Sequence, residues 1–78
     1  MRQKKPTLFF SFPTTVAAME AERFCKEQGL PGRLVPVPRE ISAGCGLAWM
    51  SEPGREPELR AFFTARGLEF EGSYVLDF

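Results

Sequence analysis

The sequence contains no histidine and only two cysteines, Cys25 and Cys45, among its 78 residues. Without an imidazole base, a catalytic triad cannot be assembled. A structural zinc site needs about four ligands, mostly cysteine and histidine, which this composition does not supply. Two cysteines also do not make a disulfide framework. We therefore expect no metal site and no cofactor, and this composition favours other roles over a self-sufficient enzyme without settling the question.

The sequence also lacks an excess of charge, because ten basic and ten acidic residues cancel. No strong field would draw nucleic acid or an anionic membrane surface to such a chain. Its apolar stretches are too short to span a bilayer, and no long apolar region follows the basic start MRQKKPT as a signal peptide would require. We expect a cytoplasmic protein with no nucleic-acid or membrane partner, in which residues 1–6 form a flexible basic tail.

Apolar side chains are plentiful, since 44% of the residues are hydrophobic and eight are phenylalanine. The length predicts a single domain over residues 1–78. A chain of this size buries about 60% of the surface that it exposes when unfolded, which leaves little room for a deep pocket. Any chemistry is therefore expected on a loop or a shallow surface.

The first half of the chain predicts a strand followed by a helix. Alternation in TLFFSF (7–12) is typical of a strand. Thr14 or Thr15 can cap the helix that follows, and Gly29 can end it. Cys25 falls on the apolar side of this helix. We expect it in the core, where burial raises the pKa of a thiol.

The next segments predict two further strands. In RLVPVP (33–38), Pro36 and Pro38 lack N–H groups on the same side, which places this strand at a sheet edge. GLAWMS (46–51) predicts the third strand, in which Trp49 is expected to be buried or half-buried.

The last third of the chain predicts a second helix and a fourth strand. Pro57 suits the first position of a helix, and Gly67 can close it. Alternation over residues 68–78 then indicates a strand, in which Gly72 marks a bulge or a bend.

The resulting order is β-α-β-β-α-β. It predicts an α+β fold, a ferredoxin-like sandwich in which two helices cover one face of a four-stranded antiparallel sheet. An unpaired edge strand leaves a homodimer through a sheet edge open.

The segment between the second and third strands carries the candidate reactive group, because Cys45 lies there between Gly44 and Gly46. Glycine allows positive φ and close approach of another molecule, and successive N–H groups can form an anion-binding nest. Such a turn favours a thiolate, a persulfide or a bound anion. Arg39 would add positive charge, and Ser42 could donate a hydrogen bond. The alternative is a tight connection in which the cysteine has no chemical role.

The segment PVPREISAGCGLAW (36–49) resembles the signature of the putative selenium/sulfur-carrier-like family of small bacterial domains. Its Pro-Arg-x-Ile-Ser-x-x-Cys-Gly pattern fixes several residue types at set spacing. The likeness includes FFSFPTT, AMEAERFCKEQG and RLVPVPRE, and covers the chain from about residue 8 to residue 70. Ala43 and Gly44 depart from it, because small polar residues are expected there. This departure would remove a hydrogen-bond donor near the thiol.

The resemblance implies a thiol carrier of sulfur or selenium, with the sulfur of Cys45 as the carrying atom. By the local chemistry given above, Arg39, Ser42, Gly44 and Gly46 are the supporting residues. The implied partners are a donor and an acceptor protein. Exchange of this kind requires an accessible sulfur and an attacking thiolate, but no metal or deep pocket.

Two alternatives come from other functional classes. The first is a regulatory or protein-interaction module with a structural Cys45, which an exposed Trp49 together with a buried Cys45 would favour. The second is RNA binding, which the uncharged composition and the third strand oppose, since GLAWMS lacks the basic, aromatic consensus of RNA-recognition modules.

Overall fold

A computed structural model of the chain describes residues 5–41 and 46–78. In these residues four strands and two α-helices follow the predicted β-α-β-β-α-β order. They are β1 (Pro6–Ser11), α1 (Thr15–Gln28), β2 (Arg33–Pro36), β3 (Leu47–Ser51), α2 (Glu56–Ala65) and β4 (Gly72–Asp77). The strands are antiparallel in the order β2-β3-β1-β4. The chain therefore has the predicted α+β, ferredoxin-like architecture.

The ends of α1 lie where the sequence predicts them. Thr14 is the N-cap, and its side-chain oxygen accepts a hydrogen bond from the backbone N–H of Ala17 at 3.1 Å. Gly29 ends the helix at φ 68°, in the left-handed region that favours glycine. Both predicted helix boundaries are confirmed.

The main core lies between the two helices and one face of the sheet. Phe10 and Trp49 pair in register on β1 and β3 and are both buried. The ring of Phe63 from α2 meets Phe10 edge-on, with centroids 5.2 Å apart. The buried members of this cluster are Leu8, Phe10, Phe12, Ala17, Ala18, Ala21, Cys25, Trp49, Leu59, Phe63 and Leu68.

A second, smaller cluster lies on the opposite face of the sheet. Because successive strand residues point to opposite faces, Phe9 is directed away from the helices. It is fully buried there against Ala48 of β3 and Ile41, which follows β2. The segment after β2 therefore returns over the face of the sheet that the helices leave open.

The second strand lies at the sheet edge, as its prolines predict, but it ends at Pro36 instead of residue 38. The N–H of Val37 still donates toward β3, to the carbonyl oxygen of Gly46, so the missing N–H groups of Pro36 and Pro38 face the open edge. The strand ends because the chain turns, and the carbonyl oxygen of Pro38 accepts a hydrogen bond from the N–H of Ile41 at 3.0 Å.

The other strand boundaries also differ slightly from the prediction. The sheet includes Pro6, the first residue of β1, and Lys5, whose backbone exchanges hydrogen bonds of 3.2 and 2.9 Å with Phe78. Both belong to the predicted basic tail, of which residues 1–4 lie outside the described residues. At the other end, β4 begins only at Gly72, and Leu68 joins the main core from the segment before the strand.

Candidate functional site

The candidate site is the loop between β2 and β3, which the structure describes as far as Ile41 and again from Gly46. The predicted residues Ser42, Gly44 and Cys45 lie outside the described residues. Cys45 is bonded directly to Gly46, so the position of Gly46 defines where the cysteine segment joins the sheet.

The two ends of the loop are held together by a backbone hydrogen bond. The N–H of Val37 donates to the carbonyl oxygen of Gly46, with nitrogen and oxygen 2.9 Å apart. Gly46 has φ +74°, a conformation that residues with a side chain rarely adopt. The backbone conformation therefore favours glycine here, although the surroundings would admit a Cβ atom.

Ile41 attaches the loop to the open face of the sheet. Its side chain is only 4% exposed and packs with Phe9 and Ala48. We call Val37, Ile41 and Gly46 the loop frame. This role of Ile41 and Val37 is not evident from the sequence. The available signal was a single aliphatic residue, directly after charged Arg39 and Glu40, in a segment without periodicity.

Arg39 lies on the loop between the turn residue Pro38 and the buried Ile41, and it is exposed. Because the Val37–Gly46 bond closes the loop, Arg39 and Gly46 belong to the two sides of one short connection. An exposed guanidinium interacts with a nearby charge by at most about 1 kcal/mol, since water screens it. Exposure thus limits the electrostatic effect that Arg39 can have on a nearby charged group.

Cys25 is buried in the main core, as predicted, with 0% of its surface exposed. Burial raises the pKa of its thiol from 9.0 to about 11, because the thiolate would lose its hydration. The thiol therefore remains protonated near neutral pH and cannot act as a nucleophile.

Trp49 is also buried, with 1% of its surface exposed. It lies under Gly32, where a Cβ atom would come within 2.7 Å of the indole nitrogen. The prediction of a buried Trp49 is confirmed, and its indole ring is not available on the surface as a binding anchor.

Residues 5–41 and 46–78 contain neither a metal-ligand cluster nor a membrane-spanning helix. No three histidine, cysteine, aspartate or glutamate side chains gather there as ligands for a metal ion. Neither helix in this part of the chain has the length and apolar character needed to cross a membrane.

Comparison with known proteins identifies the family. A family model described as "Putative Se/S carrier protein-like" matches residues 7–75. The matched span runs from β1 into β4 and includes the loop with Cys45. No curated protein and no solved structure matches the chain. The chain belongs to the Se/S carrier protein-like family.

Proposed function

We propose that this protein carries sulfur or selenium on Cys45 and passes it from a donor protein to an acceptor protein. Membership of the Se/S carrier protein-like family supports a carrier. The observation that carries the assignment to Cys45 is the burial of Cys25, which raises the pKa of that thiol to about 11. Since the sequence has two cysteines, Cys45 is the remaining candidate for exchange at neutral pH.

Loading requires one nucleophilic step. The Cys45 thiolate attacks the terminal sulfur of a persulfide on the donor protein. A sulfur–sulfur bond forms at Cys45, the sulfur–sulfur bond of the donor breaks, and the donor cysteine leaves as a thiolate. With selenium as the transferred atom, a sulfur–selenium bond forms and another breaks. Because one bond is exchanged for another, the transfer needs no external oxidant or reductant.

Delivery is the same step in reverse. A thiolate of the acceptor attacks the terminal atom held by Cys45, and Cys45 leaves as a thiolate. A group that stabilises the Cys45 thiolate therefore assists both formation of the attacking species and departure of the leaving group. In this proposal Arg39 supplies positive charge, Ser42 a hydroxyl donor, and the backbone around Gly44 and Gly46 supplies N–H donors.

The loop frame suits such exchange. Both partners must bring a cysteine to the same sulfur, so the carrier benefits from a short connection with fixed ends. The Val37–Gly46 hydrogen bond and the buried Ile41 fix those ends on the sheet. The alternative of an interaction module gains no support from Trp49, because that side chain is buried.

A transfer assay tests the proposal. The protein is charged by a cysteine desulfurase with ³⁵S-labelled cysteine, separated from the donor, and mixed with a thiol acceptor. We expect label to bind to the wild type and to Cys25→Ala and then to pass to the acceptor. Label that binds equally to Cys45→Ala, or that stays on the wild type after the acceptor is added, would contradict the carrier role.

A further inference from the structure

The two edges of the sheet differ in how they are protected from pairing. At one edge, β2 has four residues, ends in the exposed Pro36 and leads into the candidate loop. Proline and short length are common protections of an edge strand. At the other edge, β4 has six residues and no proline, and within the described residues its outer side faces no other strand.

The side chains along β4 are unusually apolar for an unprotected edge. Tyr74 is 37% exposed, Val75 is 53% exposed, and Phe78 just beyond the strand is 45% exposed. Val75 points to the helix side, because it pairs with the buried Leu8, yet more than half of it reaches solvent. The helices therefore leave the outer margin of β4 uncovered on that side.

The hydrogen-bonding register determines which backbone groups of β4 point outward. Lys5 and Phe78 exchange two hydrogen bonds, so they are a hydrogen-bonded pair of the β1–β4 ladder. Along an antiparallel ladder, hydrogen-bonded pairs alternate with pairs that are not hydrogen-bonded. Even-numbered β4 residues therefore bond to β1, and Ser73, Val75 and Asp77 direct their N–H and carbonyl groups away from it.

We infer that β4 is a homodimer interface, in which the β4 edges of two copies pair antiparallel about a twofold axis at Val75. In this register Val75 bonds with the partner's Val75, and Ser73 bonds with the partner's Asp77. About six intermolecular backbone hydrogen bonds result, and the two sheets become one. No backbone bond between β1 and β4 has to break.

The side chains of β4 match a second copy in this register. On the open face, Tyr74 lies opposite the partner's Leu76, an aromatic–aliphatic pair. On the helix face, the guanidinium of Arg60 donates to the Ser73 hydroxyl at 2.6 Å and to the carboxylate of Glu56 in its own copy at 2.6 Å. Because Ser73 lies opposite the partner's Asp77, Arg60 would lie between the carboxylate of Glu56 and that of the other copy. The self-complementary aromatic–aliphatic pairs and this position of Arg60 identify a second copy as the occupant.

The dimer is weak. An interface of one edge strand is at the low end of the sizes that specific complexes bury, so we expect a micromolar Kd. The candidate loop joins β2 and β3, the two strands farthest from β4 in the sheet. The inference rests on the β4 edge alone and does not depend on the carrier role.

Sedimentation velocity over a range of concentrations tests the dimer. We expect the wild type to change from monomer to dimer, and Val75→Pro to raise the Kd at least about tenfold, because it deletes the outward N–H at the axis. Val75→Thr keeps that N–H and serves as the matched control. Circular dichroism verifies folding, and Val75→Lys provides a second variant that places like charges opposite each other.

Cross-linking tests the register in the Cys45→Ala background. Residues opposite each other in a hydrogen-bonded pair have Cα atoms about 5.5 Å apart, within disulfide range. Val75→Cys should therefore form a dimeric disulfide with diamide, whereas Asp77→Cys, displaced from its own copy by roughly 13 Å, should not. A wild type that stays monomeric up to millimolar concentration, or Asp77→Cys cross-linking as fast as Val75→Cys, would overturn the inference.

Discussion

The backbone N–H of Val37 and the carbonyl oxygen of Gly46 are joined by a 2.9 Å hydrogen bond that closes the segment containing Cys45. Gly46 makes this closure at φ +74°. The bond connects the end of the edge strand β2 to the start of β3, so the sheet itself fixes both ends of the candidate loop.

Substitution of Gly46 tests the closure. Gly46→Ala should lower the free energy of unfolding by about 1–2 kcal/mol, because a Cβ atom disfavours the left-handed conformation. No atom outside its neighbours lies within 4 Å of that Cβ, so the loss would come from the backbone and not from a clash. Urea denaturation measures it. Gly54→Ala, equally uncrowded and without positive φ, is the control. Equal losses in the two variants would refute the backbone explanation.

Truncation of Ile41 tests the attachment of the loop to the sheet. Ile41→Ala should lower the free energy of unfolding by about 2–4 kcal/mol, since a buried aliphatic side chain leaves a cavity against Phe9 and Ala48. Hydrogen exchange at the Val37 N–H should accelerate as the loop end loosens. Val16→Ala is the control, because Val16 is 66% exposed. Unchanged exchange at Val37 would show that Ile41 does not hold this loop.

The burial of Cys25 predicts a stability change at alkaline pH. Below pH 9.0 the Cys25 thiol is protonated in both the folded and the unfolded state, so its full contribution to the free energy of unfolding is present. Between pH 9.0 and about 11 the unfolded chain ionises while the folded protein, with its raised pKa, does not, and stability falls. The total loss is on the order of 3 kcal/mol.

This loss is measured as the difference in the free energy of unfolding between Cys45→Ala and the double variant that carries both Cys25→Ala and Cys45→Ala. Urea denaturation at pH 8 to 11 provides both values. The comparison removes the titration of lysine and tyrosine, which both proteins share. Parallel pH profiles for the two proteins would mean that Cys25 is not desolvated in the folded state.

Arg39 is predicted to promote thiolate chemistry at Cys45. Arg39→Gln should slow alkylation of Cys45 by iodoacetamide at pH 7 by about two- to fivefold, the range expected for one exposed charge. Arg39→Lys keeps the charge and should retain most of the rate. The effect should shrink at high salt, because salt screens exposed charges. A rate in Arg39→Gln equal to that of the wild type would remove Arg39 from the proposed site.

The sequence predicts the fold where local signals are strong. Thr14 and Gly29 bound α1 because a capping side chain and a left-handed glycine act through the nearest turn of backbone. Pro36 places β2 at an edge because a missing N–H excludes a second neighbouring strand. These predictions need no knowledge of tertiary packing.

The attachment of the candidate loop to the sheet depends on contacts between residues distant in sequence, which local sequence patterns cannot predict. Ile41 is one aliphatic residue without periodicity, and its burial depends on Phe9, which is distant in sequence. The early end of β2 likewise follows from the turn between Pro38 and Ile41. The roles of Cys45, Ser42 and Gly44 stay predictions, since these residues lie outside the described part of the chain.

The most direct measurement is intact mass after incubation with a cysteine desulfurase and cysteine. The protein is compared with Cys45→Ala and Cys25→Ala. The carrier account predicts a gain of one sulfur atom that a thiol reductant removes, present in the wild type and in Cys25→Ala and missing from Cys45→Ala. A folded wild type that gains no sulfur, or an adduct that persists in Cys45→Ala, would contradict the claim that Cys45 carries the transferred atom.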